Sequence, residues 1–360
     1  MVINMECLIG MRMMLADNSI DAVVTDPPYG LSKQPDMNEV LRHWLNGDDY
    51  VHTGGGFMGK TWDSFVPGPS VWKEVFRVLK PGGHLLAFFG TRTYDLGTLA
   101  IRLAGFEIRD QIDWVYGSGF PKSLNVSKAT DDEQWQGWGT ALKPAHEPIC
   151  VARKPLAGTV AENVLQFGTG GMNIDDCRVG DEVRFNPPAL LPAGGNSLNM
   201  SAVGMPENVD GNTVSGRWPA NFIHDGSDEV INLLPGGSER YFYCAKASKS
   251  DRDEGVMLAM VTGAEMTGRE PDTDGLNSPR AGAGRTSGAR NNHPTVKPTA
   301  LMQWLVRLVT PPGGKVLDPF TGSGSTGKAC AIEGFDFIGF EMDPHYCEIA
   351  KQRIAYVHNR

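Results

Sequence analysis

Two stretches hold residue types that could do chemistry together: Asp26-Pro27-Pro28-Tyr29-Gly30 near one end of the chain and Gly322-x-Gly324-x-x-Gly327 near the other. The first follows Ile20–Thr25, an apolar and β-branched run with the composition of a short buried strand. It sets a carboxylate, a rigid turn and an aromatic ring at that strand's carboxyl end. Each proline fixes φ near −65° and lacks an N–H, and the residue before each is biased to an extended conformation. Carbonyls in such a turn have no ladder to bond to and can act as acceptors. A carboxylate, free carbonyls and a stacking ring suit a planar group bearing an –NH2. Taken alone, the same residues equally describe a strand followed by a proline-rich turn.

The glycine stretch lies between a strand, Lys315–Leu317, and a helix, where a dinucleotide fingerprint is expected. Glu341 follows Asp318 by 23 residues (341 − 318), at a strand end where an acid can accept from ribose hydroxyls. That alone suggests NAD. However, Asp318 stands close to where a pyrophosphate would lie and would repel it. The chain also offers no second mononucleotide half downstream. A cofactor with an adenosine and a zwitterionic amino-acid tail fits better, and S-adenosyl-L-methionine is such a molecule. In an open parallel sheet, ligands bind at the carboxyl ends of the strands where the order reverses. If the strands ending at Thr25 and Leu317 are neighbours there, both stretches face one crevice.

The elements needed to position them are legible. Residues 2–8 read as a first strand and 10–15 as a short helix. Residues 30–69 read as a long irregular loop, which suits either a lid or a disordered surface segment. Ser70 to Leu79 carries apolar residues at helical spacing and stops at Lys80-Pro81-Gly82-Gly83. His84–Phe89 has the continuous apolar character of a buried parallel strand, and a helix over 94–104 leads to a strand over 107–116. From about 155 to His293, Gly, Asn, Asp and Pro become dense, with short strand-like pieces at 163–167, 218–224 and 240–245. The α/β rhythm returns in the last 68 residues. The fold expected is an α/β, Rossmann-like, doubly wound and mostly parallel sheet with an irregular α+β insertion.

Composition narrows the class. A chain of 360 residues with 41% hydrophobic and 21% charged residues has the make-up of a globular enzyme. Six cysteines with no C-x-x-C pair argue against a zinc module and fit a reducing cytoplasm. No apolar run reaches membrane-spanning length, and no histidine spacing suggests a metal. The net charge of −9 weighs against a nucleic-acid partner, but residues 275–298 hold Arg280, Arg285, Arg290 and Lys297 with no acid among them. The cluster Lys246, Lys249 and Arg252 is interleaved with acids and reads as a solvated helix face.

These residues resemble the amino-methyltransferases of DNA, which join a D/N/S-P-P-Y/F/W catalytic motif to an F-x-G-x-G cofactor loop. Asp26-Pro27-Pro28-Tyr29 and Phe320-Thr321-Gly322-Ser323-Gly324 match both. The order, with His293-Pro294-Thr295-Val296-Lys297-Pro298 before the cofactor loop, is similar to the circularly permuted beta group. The resemblance implies a catalytic and cofactor domain over 1–155 and 293–360, with a target-recognition and DNA-binding region over 156–292. It implies a site-specific, adenine-N6 enzyme using S-adenosyl-L-methionine on double-stranded DNA, often as a homodimer, because Asp before Pro-Pro-Tyr goes mostly with adenine.

Carried over by residue, the family implies that Asp26 and the Pro27 carbonyl accept the two N–H bonds of the target amino group, with Pro28 shaping the turn and Tyr29 stacking on the base. Glu6, with Cys7 beside it, stands where an acid commonly meets the cofactor adenine, though Asp is the usual residue. Thr295 to Lys297 would line the methionine end, Glu341 the ribose, and Ser323, Ser325 and Thr326 the carboxylate, with Asp318, Phe320, Gly322 and Gly324 forming the loop. Lys33, Lys60, Lys122, Arg280, Arg285 and Arg290 are the candidate phosphate contacts. The alternatives are a cytosine-N4 or RNA-base methyltransferase, a nucleotide-binding oxidoreductase, and a catalytically silent DNA-binding module.

Overall fold

The computed structural model describes residues 1–359 apart from 32, 53, 57–60, 120–122, 187–211, 246–248 and 268–287. Its centre is β2 (Ile20–Thr25), whose six residues are all buried. Nine strands form one sheet: β1 (Val2–Asn4), β11 (Asp336–Glu341), β10 (Lys315–Asp318), β2, β3 (Leu79–Phe88), β5 (His146–Arg153), β4 (Glu107–Val115), β8 (Phe222–His224) and β9 (Tyr243–Cys244), in that spatial order. Neighbours are parallel except around β5, which runs antiparallel to both β3 and β4. The sheet is therefore the mostly parallel α/β sheet expected from the sequence.

β2 and β10 pair directly, Val316 opposite Ala22 and Leu317 opposite Val23. From β2 the chain winds outward through β3, and from β10 it winds the other way through β11. That junction is the order reversal at which open sheets bind ligands. Side chains on one face of the sheet (Ala22, Val24, Leu86, Phe88) pack on Trp304, Leu305, Ala329 and Ile354 of the helices Thr299–Val309, Ser325–Glu333 and Pro344–His358. Those on the other (Val23, Leu85, Ala87) pack on Met11, Trp72 and Ile101 of the helices Cys7–Met14, Pro69–Val78 and Tyr94–Leu103. Burying a side chain of this size contributes about 1.5–3 kcal/mol, so the two faces hold the β2–β10 junction rigid.

Four readings of the sequence change. The first strand ends at Asn4, because Glu6 caps a helix that starts at Cys7. The helix does stop before residues 80–83, at Val78, but those residues already belong to β3, which therefore starts earlier than His84. Residues 163–167, read as a strand, belong to the helix Val160–Phe167; Thr159 and Glu162 form a full capping box ahead of it. The 30–69 stretch, read as irregular throughout, is ordered in much of its described part and sets Leu31, Trp62 and Asp63 against the cavity at the carboxyl ends of β2, β10 and β11. It carries the helix Met37–Asn46 and buries Val40, Trp44, Phe65 and Val66 in the core. Beyond residue 155, β8 and β9 extend the main sheet, while β6 (Val179–Asn186) and β7 (Asn212–Arg217) form a separate antiparallel pair.

Candidate active site

A cavity of about 1030 Å3 opens along the carboxyl ends of β2, β10 and β11. Its wall includes Asp26–Tyr29, Phe320, Gly322, Ser323 and Glu341, so the two stretches from opposite ends of the chain share one chamber. Glu6, Cys7, Thr295, Lys297, Asp318, Ser325 and Thr326 also line it; Gly324 lies behind the wall.

The turn over residues 26–30 is held from both sides. Asp63 Oδ1 accepts from the N–H groups of Tyr29 (2.7 Å) and Gly30 (3.1 Å), and Thr93 Oγ1 donates to the Tyr29 carbonyl (2.6 Å). Gly30 has φ +63°, and a Cβ there would sit 2.9 Å from the Phe65 Cα, so the turn requires glycine. Asp26 Oδ2 accepts from the Lys297 ammonium at 2.7 Å. Its Oδ1 is buried and has no hydrogen-bond partner at ordinary geometry, although the Tyr29 hydroxyl, which donates to Glu147, stands close enough to the carboxylate to favour its charged form. Burial pushes the Asp26 carboxyl up, Lys297 opposes this, and Glu147 adds to it. Burial also works against the Lys297 charge, but Asp26 and Glu147 hold the ammonium above its ordinary range. Lys297 thus meets the Asp26 carboxylate directly.

Toward the glycine loop, Asp318 is tied into the fold. It accepts from Thr25 Oγ1 (2.6 Å), Thr326 Oγ1 (2.7 Å) and the Phe320 N–H (3.1 Å), and burial raises its carboxyl to about 6. Glu341 accepts from the N–H groups of Gly322 and Asp343, both at 2.8 Å, and burial raises it to about 7. The Ser325 hydroxyl donates to the Lys297 carbonyl (2.9 Å), linking the cofactor loop to the lysine-proline segment. The helix that follows the loop has no side-chain cap, so backbone N–H groups of its first turn stay open to an anion. Glu6 uses both oxygens on the Leu8 and Ile9 N–H groups, 2.9 Å each.

A family model described as DNA methylase matches residues 20–352, most of the chain. This chain belongs to the DNA methylase family. The methylase is 23% identical to Type II methyltransferase M.HindIII of Haemophilus influenzae over 96% of this chain and 92% of that one. It is 32% identical to Type II methyltransferase M.Cfr9I of Citrobacter freundii over 36% of each protein. It is 41% identical to DNA adenine methyltransferase YhdJ of Escherichia coli over 18% of this chain and 21% of that one. The matches to M.Cfr9I and YhdJ therefore reach 36% and 21% of those proteins' own lengths.

Of the methylase's candidate phosphate contacts, Lys33 and Arg290 are exposed, and Arg290 Nη1 donates to the Leu258 carbonyl. Lys60, Lys122, Arg280 and Arg285 lie outside the described residues. Of the cluster read as a solvated helix face, Lys246 lies outside the described residues, and Arg252 turns inward: it donates to the carbonyls of Asn291 and His293, and Asp251 beside it accepts from Lys328 and Thr299. No group of three or more metal-ligating side chains occurs among the described residues, and no helix there is long and apolar enough to cross a membrane.

Three site residues escaped the sequence reading. Asp63, at the end of the short 3-10 helix Thr61–Asp63, and Glu147, on the reversed strand, line the cavity, while Arg353 of the last helix holds the Ser323 carbonyl from behind; none stands in a motif. Asp63→Ala leaves the N–H groups of Tyr29 and Gly30 unpaired. It should cost about 2–4 kcal/mol in urea unfolding, and a loss below about 0.5 kcal/mol would show that the turn holds itself.

Proposed function

We propose that the protein transfers a methyl group from S-adenosyl-L-methionine to the exocyclic N6 of an adenine flipped out of double-stranded DNA, at a specific site. The observation that carries this reading is Asp26 Oδ1, a buried carboxylate oxygen with no hydrogen-bond partner at ordinary geometry, in the same cavity as the glycine loop and Glu341. A buried acceptor left empty is costly unless something arrives to use it.

The donor set fits the cofactor. Glu341 would accept from the ribose hydroxyls, the open N–H groups after Gly324 would take the carboxylate, and Glu6 with Cys7 would border the adenine. The sulfonium supplies an electrophilic methyl group. The chain's own task is to position and polarise the nucleophile, whose lone pair is delocalised into the ring. Asp26 Oδ1 and the Pro27 carbonyl accept the amino N–H groups and draw the nitrogen toward a tetrahedral shape. Tyr29 stacks on the base, returning about 1–3 kcal/mol against the few kcal/mol spent on flipping it. Residues 156–292 are proposed to read the recognition sequence, with Lys33, Lys60, Lys122, Arg280, Arg285 and Arg290 on phosphates.

Adenine is favoured over cytosine by Asp at position 26, and one relative, YhdJ, is named an adenine methyltransferase. The test is incubation with unmethylated genomic DNA and S-adenosyl-L-methionine, followed by nucleoside mass spectrometry. N6-methyldeoxyadenosine is expected. N4-methyldeoxycytidine would replace the base assignment, and no methylated nucleoside would overturn the reading.

The raised Glu341 carboxyl gives a pH test. Below about pH 7 it is protonated in the empty site and accepts poorly from hydroxyls. Cofactor affinity should therefore weaken as pH falls, about tenfold from pH 8 to pH 6 by calorimetry. A flat profile would remove Glu341 from the cofactor site.

A further inference from the structure

Lys297 poses a problem for the proposed chemistry. Its ammonium lies 2.7 Å from Asp26 Oδ2, so the pair alone is electrically neutral. A neutral pair is a poor partner for an amino nitrogen that turns cationic as it is methylated. The same ammonium lies 3.2 Å from Glu147 Oε2, which makes the buried cluster one positive and two negative charges, a net −1. Glu147 Oε2 also accepts from the Tyr29 hydroxyl at 2.9 Å, and Tyr116 is a further hydrogen-bond partner. Its place follows from topology. β5 is the one strand among the described residues that opposes its neighbours in the main sheet, so its amino end, with Glu147, lies at the edge where the other strands end.

We infer that Glu147 is a positioning residue for methyl transfer, restoring to the site the negative charge that Lys297 takes from Asp26 while holding Lys297 and the Tyr29 ring in place. The inference rests on the methyl-transfer reading above. As the amino nitrogen bonds the methyl carbon, the carbon–sulfur bond breaks, its electron pair stays on sulfur, and the positive charge passes to nitrogen. That nitrogen then loses one proton to Asp26 Oδ1, which becomes the neutral acid and releases the proton to solvent. With Glu147 ionised the cluster goes from −1 to neutral in this step; without it, from neutral to +1. Charge placed where charge develops is what such sites supply.

The groups facing Asp26 are Lys297, Glu147, Tyr29 and Asp318. Asp318 is held by Thr25, Thr326 and the Phe320 N–H. His293 faces Lys297 and is kept neutral by burial, which lowers it to about 3. Of the two other carboxylates, Glu147 is the one that also contacts Lys297 directly, at 3.2 Å.

The experiment is Glu147→Gln, which keeps an acceptor for Tyr29 and deletes the charge. A fall in kcat of about a hundredfold is expected, with cofactor Kd and DNA KM changed less than about threefold. Glu147 pushes the Asp26 carboxyl up, so without it Asp26 ionises at lower pH and the acid limb of kcat moves to lower pH. Glu147→Asp should recover part of the rate. A wild-type kcat, or a reduced kcat with an unmoved acid limb, overturns the inference. If the wild type methylates no DNA, the functional reading fails instead. Carboxyl 13C titration of Asp26, assigned with Asp26→Asn, then decides: an unchanged midpoint in Glu147→Gln overturns the inference.

Discussion

Asp26→Asn should lose methyl transfer by about a thousandfold or more while binding S-adenosyl-L-methionine as the wild type does. The asparagine keeps the shape of the side chain, and its carbonyl oxygen will turn to the Lys297 ammonium at 2.7 Å, the one strong donor beside it. The amide –NH2 is then forced into the position of Oδ1, the buried oxygen with no hydrogen-bond partner at ordinary geometry in the free protein. A donor now faces the N–H groups of the target base where an acceptor is required. Binding of the cofactor survives, because the glycine loop and Glu341 are built from Gly322, Asp343 and Arg353 contacts that do not pass through Asp26. The check pairs single-turnover transfer of labelled methyl groups with calorimetry of the cofactor. Transfer within tenfold of wild type would remove Asp26 from the chemistry, and a parallel loss of cofactor binding would show a structural role.

The parts of this site that were legible in the sequence are those whose geometry is local. Asp-Pro-Pro-Tyr after a β-branched run, and a glycine turn between strand and helix, each define their own backbone, and Asp318 to Glu341 spans one strand–helix–strand unit. The pairing of β2 with β10 is a condition of reading both stretches into one crevice, and the sheet meets it, with Val316 opposite Ala22 and Leu317 opposite Val23. Glu147 was illegible because its position depends on the reversal of β5, which an apolar run such as Ile149–Ala152 does not encode. Asp63 sits in a stretch without periodicity, and its role appears only when Tyr29 and Gly30 fold onto it. The Val160–Phe167 helix is a different case. Its signal, Thr159 and Glu162 three residues apart, was present, but short apolar segments fit helix and strand alike, and the cap decides between them.

Gly324 tests the other half of the site. It has φ +81° at the start of the helix Ser325–Glu333, and a Cβ there would lie 2.8 Å from the Ala350 Cβ and 2.9 Å from the Ala350 Cα. Gly324→Ala therefore meets two costs: about 1–2 kcal/mol for a left-handed backbone with a side chain, and about 1–3 kcal/mol for overpacking. Arg353 ties the loop to the Pro344–His358 helix through the Ser323 carbonyl at 2.7 Å, so the collision shifts both elements together. Thermal unfolding should show a loss of about 2–5 kcal/mol, with cofactor affinity down at least about tenfold because Gly322 and Ser323 move with the loop. Adding Ala350→Gly separates the two costs. It removes the nearer contact but leaves the Cα at 2.9 Å and the positive φ, so it should return only about 1 kcal/mol of coupling in a double-mutant cycle. Full recovery would mean that only the side chain of Ala350 forbids a residue at 324. No recovery would place the whole penalty in the backbone, and a Gly324→Ala protein with wild-type stability and affinity would refute this packing of the loop against the last helix.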